Sequence, residues 1–262
     1  MRTVADGPIA DGPIADGPVD SPAGRRAGLR RNDPRQYDLL ADQWWRPGGA
    51  FAVLRWLAAA RAALVPAARR PGALLLDLGC GGGLLAPHVA GLGYRHVGVD
   101  VTGSALRLAA GRGVRPVLAD ATALPLPDGC ADVVVAGELF EHVTDLPAAV
   151  GEACRVLAPS GVLVLDTLND TRLSRFLTVT VAERLPRVPA GLHDPARYVD
   201  PRRLGALCAR HGVRLRVRGA RPTTWPTLRW LLCGDDRGRV VPTRSTAVLY
   251  QGVGVRWDGP RG

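Results

Sequence analysis

The sequence predicts an α/β fold built on a doubly wound, seven-stranded and mostly parallel sheet that is closed by an antiparallel strand. Two observations carry this prediction. Short apolar runs alternate with helix-like segments through the middle of the chain, and a glycine-rich turn follows the first apolar run. Strands that alternate with helices at this spacing form parallel sheets that are covered on both faces.

Two segments precede the predicted sheet. Residues 5–19 are three tandem copies of a pentapeptide that contains Gly-Pro, a pair that disfavours both helix and strand. We therefore expect residues 1–35 to form a disordered tail, followed by a single domain over residues 36–262. Apolar residues at helical spacing after Tyr37 predict a helical cap over residues 36–70.

The sheet and its helices follow from the spacing of the apolar runs. The predicted strands cover residues 73–79, 96–100, 115–119, 131–137, 161–168, 213–220 and 246–256. The predicted helices lie near residues 83–92, 103–111, 145–157 and 201–212. Ligands of such sheets bind at the carboxyl ends of the central strands, so residues that follow those strands are the site candidates.

The turn after the first strand carries the strongest functional signal. The strand reaches Asp77, and Gly79, Gly81 and Gly83 follow at alternate positions. Glycines there let the backbone approach a ligand closely. Asp100 ends the second strand about 20 residues later, where a carboxylate suits two ribose hydroxyls. The two features together predict a site for a cofactor that contains a nucleoside.

The glycine spacing indicates which cofactor this is. A dinucleotide fingerprint needs glycine where the chain has Leu84. The pattern Asp-x-Gly-x-Gly-x-Gly instead resembles the first motif of class I S-adenosylmethionine-dependent methyltransferases, which have a Rossmann-like fold. The contacts expected for this cofactor are Arg61, Asp77, Gly79, Cys80, Gly81, Asp100, Val101, Asp120, Ala121 and Gly137. For Asp120, a contact with the adenine amino group and a turn cap both remain open.

Two carboxylates and an imidazole follow the fourth strand, in Glu138, Glu141 and His142. Glutamates three residues apart share one face of a helical turn. Oxygen and imidazole ligands suit Mg²⁺, Mn²⁺ or Zn²⁺, and the spacing does not choose between them. The alternative is that these residues line the pocket or cap the next helix, as in metal-free methyltransferases.

Longer motifs make the resemblance more specific. In order along the chain these are Tyr37 to Trp45, the glycine-rich turn, Glu138 to His142, Thr167 to Asn169, Gly191 to Asp194 and Tyr198 to Pro201. Together they resemble the O-methyltransferases of ubiquinone biosynthesis, which methylate polyprenyl catechols. The resemblance implies cofactor contacts at Arg61, Gly79, Asp100 and Gly137, and Mg²⁺ held by Glu138, Glu141 and His142.

Residues 170–192 form an insertion between the fifth strand and the last third of the chain. In the family that this chain resembles, the insertion contacts the membrane. Here it combines apolar residues such as Phe176 and Leu177 with arginines such as Arg172 and Arg175. A basic amphipathic segment of this kind lies on anionic lipid. A lid over the substrate is the alternative, and the sequence leaves both open.

These observations predict S-adenosylmethionine-dependent O-methylation of a phenolic or catecholic hydroxyl, with a polyprenylated quinone precursor as one such acceptor. The alternative is metal-independent O- or C-methylation of a soluble secondary metabolite. No catalytic residue is assigned. His193 suits a general base, or else belongs to a turn with Asp194. Residues 223–245 show no recognisable pattern.

Composition limits the partners and the compartment. The net charge of +10, carried by arginine without lysine, favours anionic partners, but no RNA-binding module is recognisable and we expect no nucleic-acid partner. The five cysteines form no Cys-x-x-Cys pair, so neither a zinc site nor a disulfide framework is predicted. Without a signal peptide or a long apolar run, we expect a cytoplasmic enzyme that is either soluble or peripheral to the inner face of the membrane.

Overall fold

The computed structural model describes residues 28–257. The three pentapeptide copies lie outside these residues. The chain first forms a helical cap, in which helix α1 (Arg35–Leu39) and a 3₁₀ turn (Ala41–Gln43) precede helix α2 (Ala52–Ala62). The predicted helical cap over residues 36–70 is therefore helical only in part, because residues 44–51 and 63–70 form turns and loops.

The sheet has eight strands. They are β1 (Leu74–Leu78), β2 (Arg95–Asp100), β3 (Arg115–Leu118), β4 (Ala131–Gly137), β5 (Leu157–Leu168), β6 (Val213–Pro222), β7 (Val240–Thr243) and β8 (Leu249–Arg256). Their order is β3-β2-β1-β4-β5-β8-β6-β7. Strands β1 to β5 are parallel, whereas β8 runs antiparallel to both of its neighbours, β5 and β6.

The predicted mostly parallel sheet is confirmed, but the predicted count of seven strands is one too low. The additional strand is β7, which pairs antiparallel with β6 at the edge of the sheet. It spans four residues and contains Pro242. Proline cannot donate to a ladder and is found mainly on edge strands. A four-residue segment that contains proline gives no strand signal in the sequence.

Six further helices connect the strands. They are α3 (Ala86–Val89), α4 (Gly103–Ala110), α5 (Leu146–Arg155), α6 (Arg172–Arg175), α7 (Pro201–Arg210) and α8 (Thr224–Cys233). Strand residues alternate between the two faces of the sheet, as the pleat requires. Leu76 and Leu78 belong to the same buried cluster as residues of α5 and α7, whereas Leu75 and Val135 cluster with Leu85 and with residues of α2 and α3. Both faces are thus covered.

The insertion over residues 170–192 is helical at its start. Helix α6 begins after Thr171, whose hydroxyl accepts from the Ser174 amide at 3.0 Å. A π-helical segment (Phe176–Val181) continues it. Among residues 28–257, no helix has both the length and the apolar character that would be needed to cross a bilayer.

Residues 28–35, part of the predicted tail, contact this insertion. The Arg31 guanidinium pairs with the Glu183 carboxylate at 2.5 Å and donates to the His193 carbonyl at 2.8 Å. The Asn32 amide donates to the Gly191 carbonyl at 2.9 Å. These contacts place the start of the described chain beside the predicted site, while the expectation of disorder for residues 1–27 concerns residues outside the description.

Candidate functional site

The glycine-rich turn lies against the indole of Trp44. Gly79, Gly81 and Gly83 have φ angles of 67°, 49° and 76°, a region that other residues rarely adopt. A methyl group on Gly81 would lie 2.2 Å from the Trp44 ring, and one on Gly82 would lie 2.7 Å from it. The turn therefore requires glycine both for its conformation and for the close approach of this indole.

Asp100 connects the end of β2 to the glycine-rich turn. One of its carboxylate oxygens accepts from the Gly81 amide at 2.9 Å, and the other accepts from the Thr102 amide at 2.8 Å. Burial raises the pKa of this carboxyl, and the two amide hydrogen bonds oppose the rise. Since each carboxylate oxygen can accept more than one hydrogen bond, Asp100 can hold the turn and accept from a ligand at the same time.

Asp77 and Cys80 lie beneath the turn. Asp77 is 4% exposed, and its Oδ2 lies 3.4 Å from Nε2 of His96. The Cys80 sulfur packs so closely on Gly98 that a methyl group there would lie 2.6 Å from it. Burial raises the pKa of the Cys80 thiol well above its usual range. Both side chains support the turn from inside the protein.

A buried ion pair lies at the carboxyl end of β4. The Arg61 guanidinium, from α2, pairs with the Asp166 carboxylate of β5 at 3.3 Å, and both side chains are at most 9% exposed. Arg61 passes directly over Gly137, where any side chain would overlap it. The buried Nε of Arg61 has no hydrogen-bond partner among the described residues. This donor is therefore available to a ligand that enters next to Gly137.

The three remaining cofactor candidates lie around the ends of β2 and β3. Val101 is 52% exposed, directly after Asp100. Asp120 is exposed, and its Oδ1 accepts from both the amide and the hydroxyl of Thr122 at 2.8 Å. Ala121 is buried. Asp120 thus caps a turn in this structure, as one of the two readings of the sequence expects.

Glu138 and Glu141 have different surroundings. Glu138 has a positive φ of 49°, and its Oε1 is buried without a hydrogen-bond partner among residues 28–257. Burial and the neighbouring Glu141 raise its pKa well above the usual range. Glu141 points into the core, where it accepts from the Thr167 hydroxyl at 2.6 Å and from the Leu168 amide at 3.3 Å. Burial raises the pKa of Glu141 to about 7.

His142 is held from two sides. Its Nδ1 contacts the side-chain oxygen of Asn32, and its Nε2 lies 3.4 Å from the Tyr37 hydroxyl. The Asn32 side chain also donates to the His142 carbonyl at 2.8 Å, and Arg197 donates to the same carbonyl at 3.1 Å. Burial lowers the pKa of His142 well below its usual range, so the imidazole is neutral at pH 7.

The predicted metal ligands do not converge. Within residues 28–257, no group of three or more His, Cys, Asp or Glu side chains has an arrangement that could hold a metal ion. Both oxygens of Glu141 accept hydrogen bonds in the core, and both ring nitrogens of His142 lie against other side chains. Only Glu138 presents an oxygen without a partner. The arrangement of these donors does not fit Mg²⁺.

An aromatic cluster of Tyr37, His142, His193 and Tyr198 adjoins Glu141. The rings of His142 and His193 are 5.2 Å apart, and those of His193 and Tyr198 are 6.5 Å apart. Burial lowers the pKa of His193 to about 4, so it is neutral at pH 7. The predicted turn is present as well, since Asp194 accepts from the amide two residues later at 3.0 Å.

Sequence reasoning missed several residues of this site. Asn32 fell within the predicted tail, and Trp44 and Tyr37 were assigned to a helical cap without a role in the site. Tyr37 stacks on Trp44 at 6.0 Å, so the cap links the glycine-rich turn to the aromatic cluster. Asp166, an acid inside an apolar strand, was a usable signal because a buried carboxylate requires a partner.

The central part of the chain matches a known family. Residues 76–165, which run from β1 through most of β5, match the family model described as a methyltransferase domain.

Curated relatives extend this similarity beyond that segment. The ubiquinone biosynthesis O-methyltransferase of Paraburkholderia xenovorans is 35% identical over 191 residues, which cover 69% of this chain and 82% of the relative. The protein of the same name from Caulobacter vibrioides is 33% identical over 199 residues, which cover 68% of this chain and 79% of the relative.

Solved structures show the same fold at low sequence identity. A methyltransferase from Thermotoga maritima, described as S-adenosylmethionine-dependent and as a possible histamine N-methyltransferase, superposes with a TM-score of 0.59. It is 19% identical, and the match covers 82% of this chain and 93% of that one. An S-adenosylmethionine-dependent methyltransferase from Aquifex aeolicus gives a TM-score of 0.54 at 15% identity, over 86% of this chain and 98% of that one. At this identity the likeness concerns the fold alone.

The contact between Gly81 and Trp44 predicts a difference between two glycine-to-alanine variants. Gly113→Ala introduces a side chain at a φ of 82° into open space, so its cost is backbone strain, about 1 kcal/mol. Gly81→Ala adds the overlap with Trp44, for about 1–3 kcal/mol more. Urea denaturation of both variants measures the two costs. Equal losses would show that the indole does not press on the turn.

The environment of Glu141 predicts how stability depends on pH. Its pKa is about 7 in the fold and about 4.3 in an unfolded chain. As pH rises between these values, the unfolded state releases its proton first, so the free energy of unfolding decreases. Glu141→Gln keeps an acceptor for Thr167 but does not titrate. We expect the stability of the wild type relative to this variant to decrease as pH rises through that window.

Denaturation curves of both proteins at the two ends of the window provide the measurement. If the wild type and Glu141→Gln kept a constant difference in free energy across it, the carboxyl would not be buried in the core as described.

Proposed function

We propose, on the basis that the chain belongs to the family of ubiquinone biosynthesis O-methyltransferases, that it methylates a phenolic or catecholic hydroxyl of a polyprenylated quinone precursor. The chain is an S-adenosylmethionine-dependent methyltransferase by this membership. The observation that carries the proposed acceptor is the aromatic cluster, in which two neutral imidazoles face each other between two tyrosines. Such a cluster suits a planar phenol and the loss of its proton.

The residues around the glycine-rich turn fit the cofactor. Gly79 and Gly81 give the turn its positive φ angles, and Asp100 keeps acceptor capacity for the ribose hydroxyls. The unpaired Nε of Arg61 supplies a buried donor for the carboxylate of the methionine part. Gly137 must lack a side chain because Arg61 lies over it. We propose these residues as the binding site, with Val101 and Ala121 beside the adenine.

When bound, S-adenosylmethionine supplies a methyl group on a sulfonium, and an oxygen that attacks this carbon in line displaces a neutral thioether. The protein contributes mainly by positioning the acceptor. We propose that a ring nitrogen of His193 takes the proton of the acceptor hydroxyl, because both nitrogens of His142 already have neighbours. Tyr37 and Tyr198 form the walls on either side of the two imidazoles.

Mg²⁺ on Glu138, Glu141 and His142 remains a prediction from the family resemblance. To coordinate a metal, Glu141 would have to leave the Thr167 hydroxyl and the Leu168 amide. The arrangement of these donors supports a metal-independent reaction. The alternative function, methylation of a soluble secondary metabolite, is also metal-independent.

The insertion is proposed as the contact with the membrane that holds such an acceptor. Leu173, Phe176 and Leu177 are 48%, 54% and 38% exposed, and Arg172 and Arg175 lie among them. This arrangement is suited to anionic lipid at the interface. The contacts of Arg31 with Glu183 and the His193 carbonyl equally suit a lid over the acceptor, and one segment can serve both purposes. A cytoplasmic location at the inner face of the membrane stays a prediction.

The proposed reaction predicts methyl transfer to a short-tailed prenyl catechol. With labelled S-adenosylmethionine, we expect product both in Mg²⁺ and in EDTA, because Glu141 and His142, two of the three expected metal ligands, are engaged within the fold. Product that disappears in EDTA and returns with Mg²⁺ would show that Glu141 and His142 rearrange to bind it. No product in either condition, with cofactor binding intact by calorimetry, would exclude the catechol acceptor.

The role of His193 predicts a loss confined to the chemical step. General bases contribute about 10²–10⁴-fold, so His193→Asn should lower kcat by at least about 100-fold while the dissociation constant of S-adenosylmethionine stays the same. His211→Asn, at an exposed histidine, is the matched control and should retain full kcat. A His193→Asn enzyme with kcat near that of the control would exclude this residue as the base.

A further inference from the structure

Helix α8 exposes an apolar face to solvent. Trp225, Leu228 and Leu232 are 67%, 42% and 68% exposed. They are three and four residues apart, so they lie along one side of the helix. The opposite side is packed, with Trp230 only 3% exposed. Helix α8 thus has apolar side chains on both its core side and its outer side.

The helix is firmly attached through its inner side. The Trp230 indole donates to the carbonyls of Gly48 and Gly49, both at 3.2 Å. Its ring also contacts that of Trp56 edge to face, with centroids 6.1 Å apart. The outer face is therefore a fixed feature of the surface, and its exposure does not arise from a loosely packed helix.

Exposed apolar side chains concentrate in α8 and in the insertion. Seven of the twelve large hydrophobic residues that are exposed among residues 28–257 lie in these two segments. The four from the insertion are Leu173, Phe176, Leu177 and Leu185. Contiguous exposed apolar surface is uncommon in soluble monomers and marks sites that bind a partner or a membrane.

The two segments belong to one side of the core. Val188, from the end of the insertion, and Leu231, from α8, pack on the same buried cluster that contains Trp230 and Tyr198. Gly234, directly after α8, lies against the Arg187 guanidinium, which a methyl group there would meet at 3.2 Å. The π-helical segment reaches the same cluster through Thr178, whose hydroxyl is 2.6 Å from that of Tyr198.

Positive charge surrounds this apolar surface. Arg172, Arg175 and Arg184 are exposed on the insertion, and Arg221 and Arg229 are exposed next to and on α8. Arg175 pairs with Asp170 and Arg229 pairs with Asp235, so Arg172, Arg184 and Arg221 carry the charge that no acidic side chain of residues 28–257 pairs. The whole chain carries a net charge of +10. A second copy of the chain would bring like charges together, whereas an anionic lipid surface would attract them. The charges therefore favour a lipid surface as the partner.

We propose that α8 is a second lipid-binding element, which inserts Trp225, Leu228 and Leu232 into the interface of an anionic bilayer beside the insertion. The inference rests on the membrane contact proposed above and extends it to a helix for which the sequence offered no interpretation. With ten residues, α8 is too short to span a bilayer and would lie along its surface. Together the two segments would orient the aromatic cluster toward a lipid-borne acceptor.

Sedimentation with vesicles tests the proposal. The full chain is mixed with vesicles of phosphatidylcholine and phosphatidylglycerol, and the fraction that sediments gives a partition coefficient. Because each buried apolar side chain adds to partitioning, the double variant Trp225→Ala/Leu232→Ala should bind at least about tenfold more weakly. Trp257→Ala removes an equally exposed tryptophan, 63% exposed after β8, and should bind like the wild type.

Further arms separate this inference from the proposed function. The double variant Phe176→Ala/Leu177→Ala tests the insertion alone. Methyl transfer to a water-soluble catechol without a prenyl tail tests the reaction without a membrane. The α8 variant should methylate this catechol at the wild-type rate. If only the insertion variant loses vesicle binding, the inference about α8 is wrong and the insertion contact stands. If the wild type itself does not bind, both membrane contacts fail, whereas methyl transfer to the soluble catechol remains a separate result.

The oligomeric state gives one more decisive outcome. If light scattering shows a dimer that the α8 variant converts to a monomer, the face is covered by a second copy of the chain and the lipid proposal is overturned. A monomer in both proteins, together with the weaker vesicle binding of the variant, supports it.

Discussion

The ion pair between Arg61 and Asp166 constrains the rest of the site. Two charges buried this deeply stabilise the fold only if each finds partners, since removing one partner leaves the other desolvated and unpaired. Asp166 Oδ1 finds partners in Arg61 and in the Glu138 amide at 3.1 Å, and the same amide donates to the Asp166 carbonyl at 2.9 Å. Oδ2 is buried without a hydrogen-bond partner among residues 28–257. Arg61 in turn excludes any side chain at Gly137. The pair thus joins α2 to β5 beside Gly137, the last residue of β4, and it leaves one guanidinium nitrogen for a ligand.

The same constraint bears on why Glu138, Glu141 and His142 have different surroundings. The Glu138 amide donates to Asp166, and Glu138 has a positive φ. The turn that follows β4 therefore begins with a residue in the left-handed conformation. The spacing argument assumed a helical turn, on which residues three apart share a face. In the turn that forms, Glu141 instead enters the core and His142 faces Asn32. The spacing of the three residues therefore predicts a shared metal site, whereas in the turn that forms Glu141 and His142 have partners within the protein.

Local patterns predicted the parts of the fold that depend on local physics. Buried parallel strands appear in the sequence as apolar runs. The turn that needs positive φ is marked in the sequence by Gly79, Gly81 and Gly83. By contrast, Asn32 contacts His142 and Trp44 contacts Gly81, and each pair is more than thirty residues apart in the chain. The spacing of apolar residues does not predict such contacts. Strand β7 was missed because an edge strand needs little burial. The face of α8 was missed because apolar residues on both sides of a helix indicate a buried helix, which this one is not.

The insertion is linked through Arg31 to the residue that is proposed as the general base. Arg31 fastens the insertion to the start of the described chain through Glu183, and the same arginine holds the backbone of His193. The residue proposed as the base and the segment proposed to meet lipid are therefore joined by one guanidinium. If the insertion moved on binding a bilayer, the contact between Arg31 and Glu183 would change, and the position of His193 would change with it. Because the Arg31 side chain is 40% exposed, this contact is weak enough to open, which suits the proposed entry of the acceptor from the lipid side.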